Sequence, residues 1–152
     1  MKHLLKWPLI ITAVIVVSRV LLERFGAPPA VNDTLSVLLL TVLIFPLYFA
    51  ARIAKSGEAH PYRMLLKVTV LYALLARAMI IPTYWFARIY QWPEPRFEGV
   101  VRPGATTFKA YILTPLNPAV LIASIVVGCG LALLVMAFIR LFTKNGLAKQ
   151  TA

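Results

Sequence analysis

The sequence predicts an all-α integral membrane protein, a bundle of four transmembrane helices forming one domain over residues 1–152. Three observations predict it. The chain is 61% hydrophobic and 14% charged, with a mean hydropathy of +0.82, where a soluble domain is about 45–50% apolar. Most of it falls into four nearly uncharged runs, each close to the ~20 residues that cross a ~30 Å hydrocarbon core. The 16 Lys+Arg, against 5 Asp+Glu, lie mostly beside those runs, where cations anchor and orient helices. A surplus of +11 on a soluble chain would suggest nucleic acid, but this placement assigns the charge to a membrane, and no nucleic-acid partner is expected.

The first span covers 4–22, with Lys6 at its head and Arg19 near its tail. Its start imitates a signal peptide, but Arg19, Glu23 and Arg24 follow without a small-x-small cleavage site, so a retained helix is expected. The second span, 34–54, begins with uncharged residues 34–51 and carries Pro46 inside. Proline lacks the amide that would bond the Val42 carbonyl, so a kink is expected there. The third, 66–89, is interrupted by Arg77 and Pro82 and runs into Tyr84, Trp85, Phe86, Tyr90 and Trp92, rings suited to the headgroup level. The fourth, 118–141, lies in the uncharged stretch 110–139, and Asn117-Pro118 offers an N-cap followed by proline at the first helical position.

Cation placement sets the expected orientation. With both termini in the cytoplasm, the inside holds Lys2, Lys6, Arg52, Lys55, Arg63, Lys67, Arg140, Lys144 and Lys149, and the outside holds Arg24, Arg96, Arg102 and Lys109. Nine against four favours N-in, C-in, as in a multi-pass protein of a bacterial inner membrane. Asp33, Glu94 and Glu98 then fall outside with Glu23, and Glu58 inside. Between spans three and four, a proline-rich extracytoplasmic segment, about 91–116, is expected to be partly ordered. Its Arg102-Pro-Gly-Ala105 turn, flanked by 97–101 and 106–111, suggests a short hairpin.

Arg77 is the sharpest functional lead. It lies ten residues after Lys67 and eleven before Arg88, about 15 Å from each at 1.5 Å per residue, hence near the expected midplane. An arginine at that depth costs about 2.5–3.5 kcal/mol on insertion scales unless it finds acceptors. No span carries a central Asp or Glu. The candidate acceptors are the carbonyls of Val42 and Ala78 freed by the prolines, the hydroxyls of Tyr72, Tyr84 and Thr41, water, or an anion. Arg77 thus either knits kinked helices together, pairs with an acid of a partner protein, or offers its bidentate fork to an anionic headgroup or solute.

Arg19 has Glu23 one turn on, which a local ion pair explains. Alternatively, Arg19 and Arg88 together ring a phosphate near the outer surface. Ser124, Gly128 and Ala132 form a small-xxx-small stripe that permits close helix approach, within the bundle or to a second copy or partner. Glu58, His60, Tyr62 and Arg63 crowd the loop between spans two and three, best read as a solvated, lipid-facing loop with Lys55 and Lys67.

The lone Cys129, the scattered His3 and His60, and the lack of any phosphate-loop, zinc or triad spacing lead us to expect no catalytic residues, no cofactor and no metal. The leading expectation is a non-enzymatic accessory or scaffold subunit working through membrane lipids and a membrane-protein partner or homo-oligomer. The alternative is a transporter, flippase-like or lipid-binding protein that receives an anionic group at Arg77, with Arg19, Arg88, Tyr84 and Tyr72 as companions.

Overall fold

Proline and small residues, more than the apolar pattern, shape the helices and where they meet. The protein, here a computed structural model, is described over residues 2–28, 36–104, 108 and 112–148, with side chains over 3–142 of these. Asp33, Thr34, Lys109, Lys149, Thr106, Thr107 and 109–111, which entered the sequence reading, lie outside the described residues.

Four helical units are long and apolar enough to cross a membrane: His3–Arg24, Val37–Ala54, Pro61–Ile89 and Thr114–Phe142. The first is α1 (Lys2–Arg24). The second, α2 (Val37–Ala54), is α-helical at Val37–Leu39 and Phe45–Ala54 around a π segment at Leu40–Ile44. The third unit consists of α3 (Pro61–Ala78) and α4 (Ile81–Ile89). After a 3-10 turn at Pro95–Phe97 come α5 (Glu98–Val101) and α6 (Thr114–Leu116), then α7 (Pro118–Ala148).

The disruption expected at Pro46 takes the form of the π segment immediately before it. Widening the turn accommodates a residue that cannot donate to the i−4 carbonyl and whose ring crowds it. α7 lies directly on this widened turn. A Cβ built at Gly128 would stand 3.0 Å from the Thr41 carbonyl oxygen and 3.3 Å from Pro46 Cγ. Any side chain there would force the neighbouring backbone to give by a few tenths of an ångström. Ser124, Gly128 and Ala132 are all buried, so the stripe has a partner in α2 of its own chain.

The third unit breaks at Met79 and Ile80, just before Pro82. The Ile80 amide donates to the Arg77 carbonyl at 3.1 Å, and Thr83 Oγ1 donates to the Ile80 carbonyl at 2.7 Å. The helix starts five residues before the expected 66, at Pro61, because the Met64 amide bonds the His60 carbonyl at 3.1 Å and Pro61 and Leu65 are buried. Backbone bonding, rather than hydropathy, sets that end, and Arg63 and Lys67 sit on its exposed face.

The main core joins all four units. Phe45, Phe49 and Tyr72 pack edge to face, with Tyr72 centroids 5.0 and 5.7 Å from the two phenylalanines. Ile53, Leu65, Val68, Ala76, Ala132 and Met136 belong to it, and Leu5 and Val16 bring in α1. α1 is tied in by a hydroxyl pair, Thr12 Oγ1 and Tyr72 OH at 2.7 Å.

A second, smaller core of Ala87, Phe97 and Val100, flanked by Tyr84, Trp92 and Val101, folds residues 91–101 back onto α4 as a cap. Gln91 turns the chain with φ of 49°, the Trp92 amide bonds the Ala87 carbonyl at 2.9 Å, and an Arg88 guanidinium nitrogen donates to the Val100 carbonyl. The hairpin is therefore corrected: its first arm is a 3-10 turn and α5, and no strand occurs among the described residues. Aromatic packing on α4 satisfies this segment without an edge to pair. At α7 the expected cap holds, with the Val120 amide 3.4 Å from Asn117 Oδ1.

Candidate functional site

A partly polar cavity lies where several chain segments meet. Its walls are Val16 and Arg19 from the last turns of α1, Ser36, Val37 and Leu38 at the start of α2, Arg77 at the end of α3, Ile80, Thr83 and Tyr84 around the helix break, Arg96 from the cap, and Pro115. Its volume is about 180 Å³. Each guanidinium arrives for a local reason. Arg19 rides the buried edge of α1 one turn before Glu23. Arg77 is delivered at the point where Pro82 stops the helix. Arg96 is aimed inward by the turn that buries Phe97, against whose ring its Cζ lies 4.3 Å from the centroid.

Glu23 contacts two of these guanidinia. Glu23 Oε1 lies 3.4 Å from Arg19 Nε, and Glu23 Oε2 lies 2.9 Å from Arg96 Nη2. The second contact is a charge contact rather than an aligned hydrogen bond, since neither atom has a bonding partner of good geometry among the described residues. Next to it, Arg24 Nη1 meets Glu94 Oε1 at 3.2 Å and stacks on Trp92 at 5.2 Å, so the cap is clamped to α1 by charge at two points. Burial lowers the Arg96 guanidinium below its ordinary value, Glu23 acts against that shift, and Arg19 adds to it. An arginine so placed keeps its proton, because its ordinary value stands far above neutrality.

Arg77 shares with Arg96 a buried Nε and Nη2 that have no hydrogen-bond acceptor among the described residues, but Arg96 has Glu23 Oε2 beside it. The acceptors expected from sequence are mostly engaged elsewhere. Tyr72 pairs with Thr12 in the main core, and Thr41 Oγ1 donates to the Val37 carbonyl at 2.7 Å. Tyr84 does line the cavity with Arg77, its ring packed on Phe97 at 5.0 Å. Arg77 shares the cavity with Ser36–Leu38, the very start of α2.

Of the five anion-binding candidates, the structure therefore brings Arg77, Arg19 and Tyr84 together. It leaves Tyr72 in the core and sets Arg88 against the cap carbonyl of Val100, outside the cavity lining. The residue that sequence reasoning missed is Arg96. It was counted only as an outer cation, since an irregular proline-rich segment has no period from which to read a facing side. The available signal was its position between Pro95 and Phe97, a cation amid residues that fold against something.

At the other end of the bundle, Glu58, His60, Arg63 and Lys67 line an open depression of about 450 Å³, all of them exposed. No group of three His, Cys, Asp or Glu able to hold a metal occurs among the described residues. Comparison of the chain with protein-family models, curated proteins and solved structures finds no match.

Proposed function

We propose that this protein is a membrane-embedded receiver of anionic groups, binding a lipid headgroup or solute between Arg77, Arg19 and Arg96, with Tyr84 as a further donor. The observation that carries the reading is Arg77 itself: two buried donors lacking an acceptor among the described residues, in a cavity lined also by Arg19 and Arg96. A guanidinium in an apolar bundle is costly without a partner, and intramembrane ionisable residues mark function by default. Helix knitting accounts less well for these atoms, because knitting requires the carbonyl contacts they lack.

In this reading the chain lies in a bacterial inner membrane with both termini inside, following the nine-to-four cation count, and the cavity opens near the outer face. Binding serves transport, flipping or lipid recognition. The accessory-subunit reading draws on the exposed apolar face of α7, where Leu134 is 71% exposed, but lipid alone suffices to cover such a face.

Native mass spectrometry of the protein extracted in its own lipids, beside Arg77→Leu, tests the proposal. A co-purifying anionic mass that is lost in the variant is expected. A protein partner retained by both forms, with no mass depending on Arg77, overturns it in favour of a subunit.

A further inference from the structure

We infer that the exposed edge of α3, at the end of the bundle opposite the cap, is a site for an anionic phospholipid, with the headgroup on Arg63 and Lys67 and an acyl chain along Leu66, Leu71 and Leu74. Two depressions meet there. Glu58, His60, Arg63 and Lys67 line the polar one. Leu66, Val70, Leu71 and Leu74 line the apolar one, again with Lys67. Lys67 thus belongs to both, as a lysine can when its methylene stem covers apolar surface and its ammonium stays at the polar end. From Arg63 to Leu74 these residues recur at steps of three and four, so they form one stripe along the helix. The stripe is about 16 Å long at 1.5 Å per residue, polar at the helix start and apolar beyond it, which is the shape of a phospholipid lying against a helix from the interface inward.

Charge selects the headgroup. Arg63 and Lys67 are exposed and form no ion pair among the described residues, although Glu58 lines the same depression. Each cation close to a membrane surface raises the affinity for anionic lipid about fivefold, and Glu58 opposes part of that gain. Packing selects the chain. Leu66, Leu71 and Leu74 are 37%, 37% and 44% exposed, and among the described residues α3 alone lines the apolar depression. The stripe carries no Gly, Ala or Ser through which a partner helix would approach closely. The small-residue stripe of α7 is of that kind, and it already lies on α2. Branched side chains with a shallow channel between them suit a flexible acyl chain better than a second helix.

The test places the full chain in phosphatidylcholine nanodiscs containing a small, equal fraction of either phosphatidylglycerol or phosphatidylcholine that bears a photoactivatable diazirine in one acyl chain. Mass spectrometry then maps the labelled residues. The phosphatidylglycerol probe is expected to label residues 66–74 at least threefold more than the phosphatidylcholine probe. Arg63→Gln with Lys67→Gln should bring the two probes to equal labelling, and Lys67→Gln alone should give an intermediate preference, which decides the matter if the double variant does not fold. Arg77→Gln should leave the preference unchanged, so this site and the anion cavity stand or fall separately. Equal labelling by the two probes in the unaltered chain, a preference that survives removal of both cations, or one lost in Arg77→Gln overturns the proposal. Shielding of 66–74 from both probes by a protein crosslinked there overturns it in favour of a protein partner.

Discussion

The two ends of the bundle each gather basic residues around one glutamate and do opposite things with them. At the loop end, Glu58, His60, Arg63 and Lys67 surround an open depression and remain exposed. At the cap end, Arg19, Glu23, Arg77, Tyr84 and Arg96 converge on or beside a cavity less than half that volume, about 180 Å³ against about 450 Å³. Exposed charges are hydrated and screened, and pairs among them are worth about 0–1 kcal/mol. Buried charges have given up water and must be repaid by a neighbour. A basic cluster in the sequence therefore says little about binding until its burial is known, and the cap is what buries one of the two.

The comparison breaks most severely if the bundle itself is altered. Gly128→Leu drives a side chain into the Thr41 carbonyl, a contact already at 3.0 Å for a bare Cβ. Overpacking of this kind costs typically 1–3 kcal/mol and more when backbone must move. Loss of monodisperse protein in detergent is the expected outcome, with both ends affected alike, and a stable, well-behaved variant would show that α7 does not lie on the π segment.

Arg77→Leu separates the ends. It should abolish anion retention while leaving the thermal midpoint equal or higher, since the cost of burying the charge disappears with it. A lowered midpoint together with retained anion would return Arg77 to a structural role. Glu23→Gln is expected to tighten anion binding severalfold, because it removes a carboxylate that competes for Arg19 and Arg96, and to lower the thermal midpoint by loosening those two contacts. Unchanged binding would show that Glu23 does not share the cavity's charge.

Tyr72→Phe probes the region between the ends. Losing the bond to Thr12 should cost about 1 kcal/mol, read as a modest fall in thermal midpoint, with anion binding intact because Tyr72 stands in the core rather than in the cavity. The smallest effect belongs to the loop end. Arg63→Gln with Lys67→Gln should change stability and anion affinity at the cavity by less than threefold, and a larger change would erase the distinction between the ends.

Much of this was legible in the chain. Four helices long and apolar enough to cross a membrane were legible because hydropathy over about 20 residues is a strong signal in lipid. Pro46 and Pro82 marked the helix disruptions, and Arg19–Glu23 announced its ion pair through one-turn spacing. That the outer segment's aromatics would cap the bundle was legible from the aromatic belt, but the cap's internal structure was not. Its proline-rich residues carry no period, so neither its helical turns nor the inward direction of Arg96 followed from spacing, and a turn signal at Arg102-Pro-Gly was taken for a hairpin.

The amino-acid sequence by itself determined an all-helical chain with four membrane-length apolar helices and one arginine inside them, because both hydropathy and backbone satisfaction in lipid are properties of contiguous residues. Which groups share a cavity was decided only by tertiary structure. Arg19, Arg77 and Arg96 are separated by 58 and 19 positions, and their meeting depends on where α3 breaks, how closely α7 approaches α2 at Gly128, and how Phe97 and Val100 pin the cap. Those are packing events between distant segments, and no local pattern encodes them.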